Sequence, residues 1–215
     1  MPDYGGSADY HAAVAAGGPP WSAGELRRRI GADRPLFPPG QGWAYSNIGY
    51  LMLRERLEVA TGAPLGESLR DLVLAPLGVE ARLAMTPEDL AGLPGVAPGY
   101  HPGWVYHGLL LGAPVEAARL LDGLLSGRLL SPALLAEMTR PHLFDVPLGD
   151  RPWTQAGYGL GLMTPAAGAK VLRGHTGGGP SSSIAVYGVG RRTAAAFSTG
   201  EDPAPVERAV VAALT

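Results

Sequence analysis

Two short stretches carry the residue types with the most pointed chemistry. Tyr45-Ser46-Asn47 sets a phenol and a carboxamide two positions apart, just ahead of a run with helical spacing. His175-Thr176-Gly177-Gly178 sets an imidazole and a hydroxyl before bare backbone, where a strand is expected. A phenol with a lowered pKa can act as a general base, a carboxamide can orient a substrate carbonyl, and a strand without side chains can dock an extended substrate. A free phenol titrates near about 10, so Tyr45 as a base needs cationic neighbours to stabilise its phenolate. Each stretch also has a plainer reading: an ordinary helix N-cap with Tyr45 packed at the surface, and a hydrogen-bonded strand histidine. The only lysine is Lys170, with Ala167 three residues before it, and neither Ser7 nor Ser22 has a lysine three residues later.

Other chemistries find little support. The glycine run at Gly177 is followed by Pro180-Ser181-Ser182-Ser183 and not by G-K-[ST], which argues against a phosphate loop, and no G-x-S-x-G elbow occurs. Without cysteine there is no disulfide, thiolate nucleophile or cysteine metal site, and the redox compartment cannot be read. His101 and His107 lack carboxylates at ligand spacing, so no metal is expected. A net charge of -2 implies no basic surface for nucleic acid, and Arg27-Arg28-Arg29 reads as a solvated helix face. No apolar run approaches the roughly 18 residues that would span a bilayer, and no signal-peptide pattern is visible at Met1-Pro2-Asp3-Tyr4.

The elements that position these residues read as helices first and strands later. A loop with a short helix is expected over residues 1–20, and a helix opens at Ser22 with Glu25 at capping-box spacing. Pro35, Pro38, Pro39, Gly40 and Gly42 then deliver Tyr45 on a fixed loop. A helix follows with Tyr50, Leu53, Leu57 and Ala60 on one face, widened by Ile48, Leu51 and Met52, and closed by Gly62. Leu65 to Leu74 reads as a helix, Glu80 to Gly108 mostly as loop, Pro114 to Leu125 as a helix with Pro in its first turn, and Ser131-Pro132 caps another to Met138. Short runs follow at Tyr158–Met163, Lys170–Gly174, Ser182–Tyr187 and Thr193–Ser198, the last two a hairpin across Gly188–Arg191, before a final helix over Val206–Leu214. The expectation is an α+β fold in one domain over 1–215, mainly helical to residue 140, then an antiparallel sheet with a C-terminal helix.

The two stretches resemble the second and third motifs, Y-x-N and K-T-G or H-x-G, of the serine β-lactamase and penicillin-binding-protein superfamily, whose first motif is S-x-x-K. The resemblance is strongest to class C β-lactamases and related esterases and D-aminopeptidases. It extends through Phe37-Pro38-Pro39-Gly40, Ile48-Gly49-Tyr50, Ala75-Pro76-Leu77-Gly78, Gly127-Arg128-Leu129-Leu130-Ser131-Pro132, Tyr158-Gly159-Leu160-Gly161 and Gly174-His175-Thr176-Gly177-Gly178, in family order. Pro2-Asp3-Tyr4 is similar to the segment after a family H-T-S-G loop, so the sequence is expected to begin partway through the domain.

The resemblance implies a β-lactamase/transpeptidase-like fold, here with a partial sheet, and no cofactor. It makes Tyr45 the base, Asn47 a hydrogen-bond partner of the substrate's amide side chain, and His175 the counterpart of the third-motif lysine. Thr176 would contact substrate, Gly177 would lie in the same substrate-binding strand, and the Gly178 N–H would form half of an oxyanion hole. The nucleophilic serine has no counterpart, so the chain by itself is expected to be inert by this mechanism. Because an imidazole clamps a carboxylate more weakly than an ammonium, the implied substrate is an ester, amide or peptide-like small molecule ahead of a β-lactam. A binding or scaffold protein that keeps the cleft, and one half of a split enzyme, are the alternatives. Thr193–Ser198 is expected to be an exposed sheet edge through which the chain could self-associate or meet a complementing chain.

Overall fold

The computed structural model describes residues 2–38 and 40–215, so Met1 and Pro39 lie outside the described residues. The chain forms two compact units with interleaved segments. One comprises the residues up to Leu72, with Arg82–Leu93 and Pro98–Leu111; the other comprises Val73–Ala81, Pro94–Ala97 and Gly112–Thr215. The helical stretch up to residue 140 is therefore shared between them.

In the first unit, a 3-10 turn at Tyr4–Gly6 leads into α1 (Ala8–Ala15), followed by α2 (Ala23–Ile30), α3 (Asn47–Thr61) and α4 (Leu65–Leu69). The helices begin where side chains satisfy orphan backbone donors: Ser7, Ser22 and Ser46 each accept the N–H three residues on. Gly31 and Gly62 end α2 and α3 in the left-handed conformation that glycine adopts without a Cβ penalty. The core of this unit is aromatic, with Tyr4, Tyr10, Trp104 and Tyr106 packed on Leu26, Ile48 and Leu51. The apolar face expected for α3 is corrected: Ile48 and Leu51 are buried, whereas Leu53 is 60 % exposed.

The expected helix from Leu65 to Leu74 changes pitch after Leu69, continuing as a π turn (Arg70–Leu74) into the short α5 (Ala75–Leu77) that Gly78 closes. The expected loop from Glu80 to Gly108 is also corrected. It contains β1 (Ala81–Ala84) and 3-10 turns at Pro87–Leu90 and Pro102–Trp104, and β1 pairs with β2 (Leu109–Gly112) just beyond it. Asp89 ties the first turn by accepting from the N–H groups of Met85 and Thr86, and burial of Trp104 and Tyr106 pins the second. Four-residue strands are too short to leave a readable period.

The second unit holds α6 (Pro114–Leu125), α7 (Pro132–Met138), β3 (His142–Phe144), β4 (Ala156–Tyr158), the small ladder of β5 (Ala166–Ala167) with β6 (Lys170–Val171), then β7 (Arg173–Gly179), β8 (Ser182–Val189), β9 (Arg192–Ser198) and α8 (Ala204–Leu214). β7, β8 and β9 form an antiparallel sheet in that order, and Met163 bridges Tyr158 on one side to Gly174 on the other, linking β4 to β7. Side chains alternate across β8: Ala185 and Tyr187 join Val206, Val210 and Leu214 of α8, while Val186 joins Leu121 and Leu124 of α6. β9 pairs only with β8 among the described residues, so it is an edge, as expected.

Candidate active site

The first unit holds Tyr45 and Asn47. Asn47 is the first residue of α3, and the N-cap Ser46 accepts from Gly49 N at 3.0 Å. Asp3, 44 positions away, binds the same corner: its Oδ2 accepts from Asn47 Nδ2 at 2.8 Å and its Oδ1 from Ile48 N at 3.3 Å. A carboxylate here also meets the positive end of the α3 dipole. Tyr45, half-buried, has its ring 5.8 Å from that of Tyr50. Burial first, then Tyr50 and Asp3, pushes its phenol up to about 12. That direction favours the protonated phenol, so general-base work would need a cation close enough to reverse it.

The second unit holds His175, Thr176, Gly177 and Gly178, all on β7. His175 Nδ1 lies 2.7 Å from the carbonyl oxygen of Thr176, and Nε2 lies 2.9 Å from the Tyr158 hydroxyl. A carbonyl only accepts, so Nδ1 carries the proton. Burial pulls the imidazole pKa below its usual value, outweighing the hydrogen bond to Thr176 that raises it. The ring is therefore neutral near pH 7, with Nε2 accepting from the Tyr158 O–H.

Thr176 takes the opposite face of the strand. Its Oγ1 donates to Glu207 Oε1 at 2.5 Å and accepts from the Tyr187 hydroxyl at 2.8 Å, with Met163 Sδ 3.2 Å from that hydroxyl. Glu207 is fully buried on α8 and receives both arms of the Arg151 guanidinium, at 2.8 and 2.5 Å. This network anchors the residue next to His175 from behind the sheet.

The glycines of β7 fall into two kinds. A Cβ on Gly174 would lie 1.9 Å from the Val186 carbonyl oxygen, so the fold itself demands glycine there. At Gly178 the nearest atom would be 4.0 Å away, and at Gly179 none lies within 4 Å among the described residues. Both are exposed. Their lack of side chains answers to no packing need among the described residues, which suits main-chain contact with a ligand.

Sequence reasoning singled out the residues above by type, but missed Asp3, Tyr158, Arg151 and Glu207. One signal was available for Glu207: it stands three and seven residues before Val210 and Leu214, on the apolar face of its helix.

A family model described as Beta-lactamase matches residues 3–214. The chain belongs to the β-lactamase family. Among solved structures, this β-lactamase-family chain is similar to a D-stereospecific amidohydrolase from Streptomyces sp., with TM-score 0.76 and 22% identity over 97% of this chain and 65% of that one. It is similar to a penicillin-binding protein from Bacillus halodurans, with TM-score 0.76 and 16% identity over 100% and 69% of the two chains. A D-amino acid amidase from Ochrobactrum anthropi SV3 gives TM-score 0.72 and 22% identity over 90% and 65%. The chain thus spans about 65% of the length of the amidohydrolase and of the amidase. No curated protein matches it. At these identities the structural likeness establishes the β-lactamase/transpeptidase-like fold, with helices, antiparallel strands and a C-terminal helix.

Proposed function

We propose that this β-lactamase-family chain supplies the phenol, carboxamide, imidazole and oxyanion elements of an acyl-transfer site for small amide, ester or peptide-like substrates, with the acylated serine lying outside its sequence. Tyr45 exchanges protons with nucleophile and leaving group, Asn47 and Thr176 belong to the substrate-binding stretches, and the substrate's carbonyl lies along Gly177 and Gly178, where a backbone N–H stabilises the developing oxyanion. What carries the reading is the neutral His175 beside the unpacked glycines of β7: a strand end that can dock a chain by its main chain but holds no ammonium for a carboxylate. The amidohydrolase and amidase among the similar folds support an amide of a D-amino acid as the first ligand to try.

The 215-residue polypeptide is expected to resist stoichiometric labelling by a fluorophosphonate or β-lactam probe, since none of its serines has a lysine three residues later. Stoichiometric labelling, with the modified serine mapped by mass spectrometry, would overturn that assignment. A second reading, a binding protein that keeps the cleft without turnover, is favoured by one observation: the upward shift of the Tyr45 phenol. A version of the protein bearing an S-x-x-K segment separates the two, because the enzyme reading predicts hydrolysis of p-nitrophenyl esters ahead of cephalosporins and the binding reading predicts neither.

A further inference from the structure

Both faces of β9 are covered while one of its sides is open. On one face Ala194 and Ala196 pack beside Val206, Val210 and Leu214 of α8; on the other lies α6, where a Cβ on Gly188 would touch both Leu125 and Thr193. Among the described residues only β8 pairs with it. The turn at Gly190-Arg191 closes on Val189 and Arg192, and pairs that exchange hydrogen bonds alternate along an antiparallel ladder. Arg192, Ala194, Ala196 and Ser198 therefore bond inward to β8, while Thr193, Ala195 and Phe197 turn their N–H and C=O groups outward. Nothing guards this edge: residues 193–198 hold no proline and no charge, and the register with β8 runs without a bulge. Charges stand only at the ends, with exposed Arg191 and Arg192 at the start of the strand and exposed Glu201 and Asp202 just past its finish.

We propose that β9 is an interface for a second copy of this chain, the two strands pairing antiparallel about a two-fold axis at Ala195. That register sets Ala195 against Ala195 and Thr193 against Phe197, so every outward N–H and C=O of the strand finds a partner. It also brings the arginine end of each copy to the carboxylate end of the other, whereas a parallel pair would set arginines against arginines. α6 and α8 each rest on β8 as well as β9, so they lie over the two strands and leave the edge clear. Each helix would meet its counterpart about two strand spacings away, about 10 Å, the ordinary distance for packed helices. The contact uses the same patch on both copies and consumes the edge, so assembly stops at the dimer.

The test combines sedimentation velocity with single-cysteine cross-linking of the 215-residue chain, which has no cysteine of its own. The wild-type chain is expected to show a concentration-dependent monomer–dimer equilibrium. Arg191→Glu should raise the dimer dissociation constant about tenfold, because the two-fold axis counts each end contact twice. Ala195→Cys should form an inter-chain disulfide on mild oxidation, since opposed residues of a hydrogen-bonded pair stand about 5.5 Å apart at Cα. Thr193→Cys alone should not, whereas a mixture of Thr193→Cys and Phe197→Cys proteins should cross-link. A chain that stays monomeric at every concentration would overturn the proposal and leave the edge to a strand from another polypeptide. Growth past the dimer, equal cross-linking of Ala195→Cys and Thr193→Cys, or an Arg191→Glu dimer no weaker than wild type would overturn it as well. The sedimentation arm stands even if a cysteine variant fails to fold, because Arg191 is an exposed turn residue.

Discussion

The Tyr158 hydroxyl and His175 Nε2 stand 2.9 Å apart while His175 Nδ1 meets the Thr176 carbonyl at 2.7 Å, so both ring nitrogens are committed and the tautomer is set. Tyr158→Phe removes the donor and leaves the carbonyl partner, so the ring should stay in its Nδ1–H form with Nε2 losing its hydrogen bond. Long-range proton–nitrogen NMR of the imidazole checks this: the Nε2 resonance should move downfield while Nδ1 barely shifts. An unchanged Nε2 resonance would mean that Tyr158 does not donate to it.

The pH dependence of stability should fall on both sides of neutrality. His175 binds its proton less readily folded than unfolded, so its contribution is present above about 6.5 and is lost as pH falls toward the folded value. Burial raises the phenols of Tyr4, Tyr10, Tyr45, Tyr100 and Tyr106 in the first unit, so their contribution is present in full below about 10 and is lost as pH rises through the folded values. Urea denaturation across pH, compared with His175→Gln, should show the acid limb flatten in the variant and the alkaline limb persist. An acid limb of the same slope in His175→Gln would contradict the assignment.

Glu207 is the buried hub behind β7, and removing its charge leaves the Arg151 guanidinium partly buried without its counter-ion. Glu207→Gln should cost about 3–5 kcal/mol, the usual penalty for breaking a buried pair from one side. Thr176→Val, which removes one hydroxyl from the network but keeps the ion pair, should cost about 1–3 kcal/mol. Chemical denaturation of the two variants gives the order directly, and a larger loss for Thr176→Val would show that the ion pair is not the anchor.

Much of the scaffold was legible because its ends are marked locally. Ser22 and Ser131 as caps, Gly62 as a left-handed terminator, the helix from Pro114 to Leu125 and the hairpin through Gly190 all rest on contacts within a few residues. What stayed hidden depends on partners distant in sequence. Leu53 fits a helical stripe yet faces outward, because the aromatic core accepts Ile48 and Leu51 instead. Tyr45, Asn47 and His175 stood out by residue type and flanking motif, whereas Asp3 and Tyr158 act only through a fold that carries them to Asn47 and His175. Thr176 stood out as a substrate contact by its motif, whereas the bonds of its hydroxyl to Glu207 and Tyr187 depend on partners the fold brings from further along the chain.

The β7 glycines should respond oppositely to the same change. Gly174→Ala drives a methyl into the Val186 carbonyl, and the cost should reach at least the roughly 1–3 kcal/mol of an overpacked interior. Gly179→Ala meets nothing within 4 Å among the described residues and should be neutral within about 0.5 kcal/mol. Thermal melts of the two variants settle the contrast, and equal destabilisation would contradict it.

The proposal that the end of β7 takes a substrate by its main chain is tested most directly by titrating isotope-labelled protein with D-phenylalanine amide and following the backbone amide resonances of Gly177 and Gly178. The Gly177 and Gly178 backbone amides are expected to shift together along a single saturation curve. Gly177 and Gly178 resonances that stay in place at saturating ligand would contradict it.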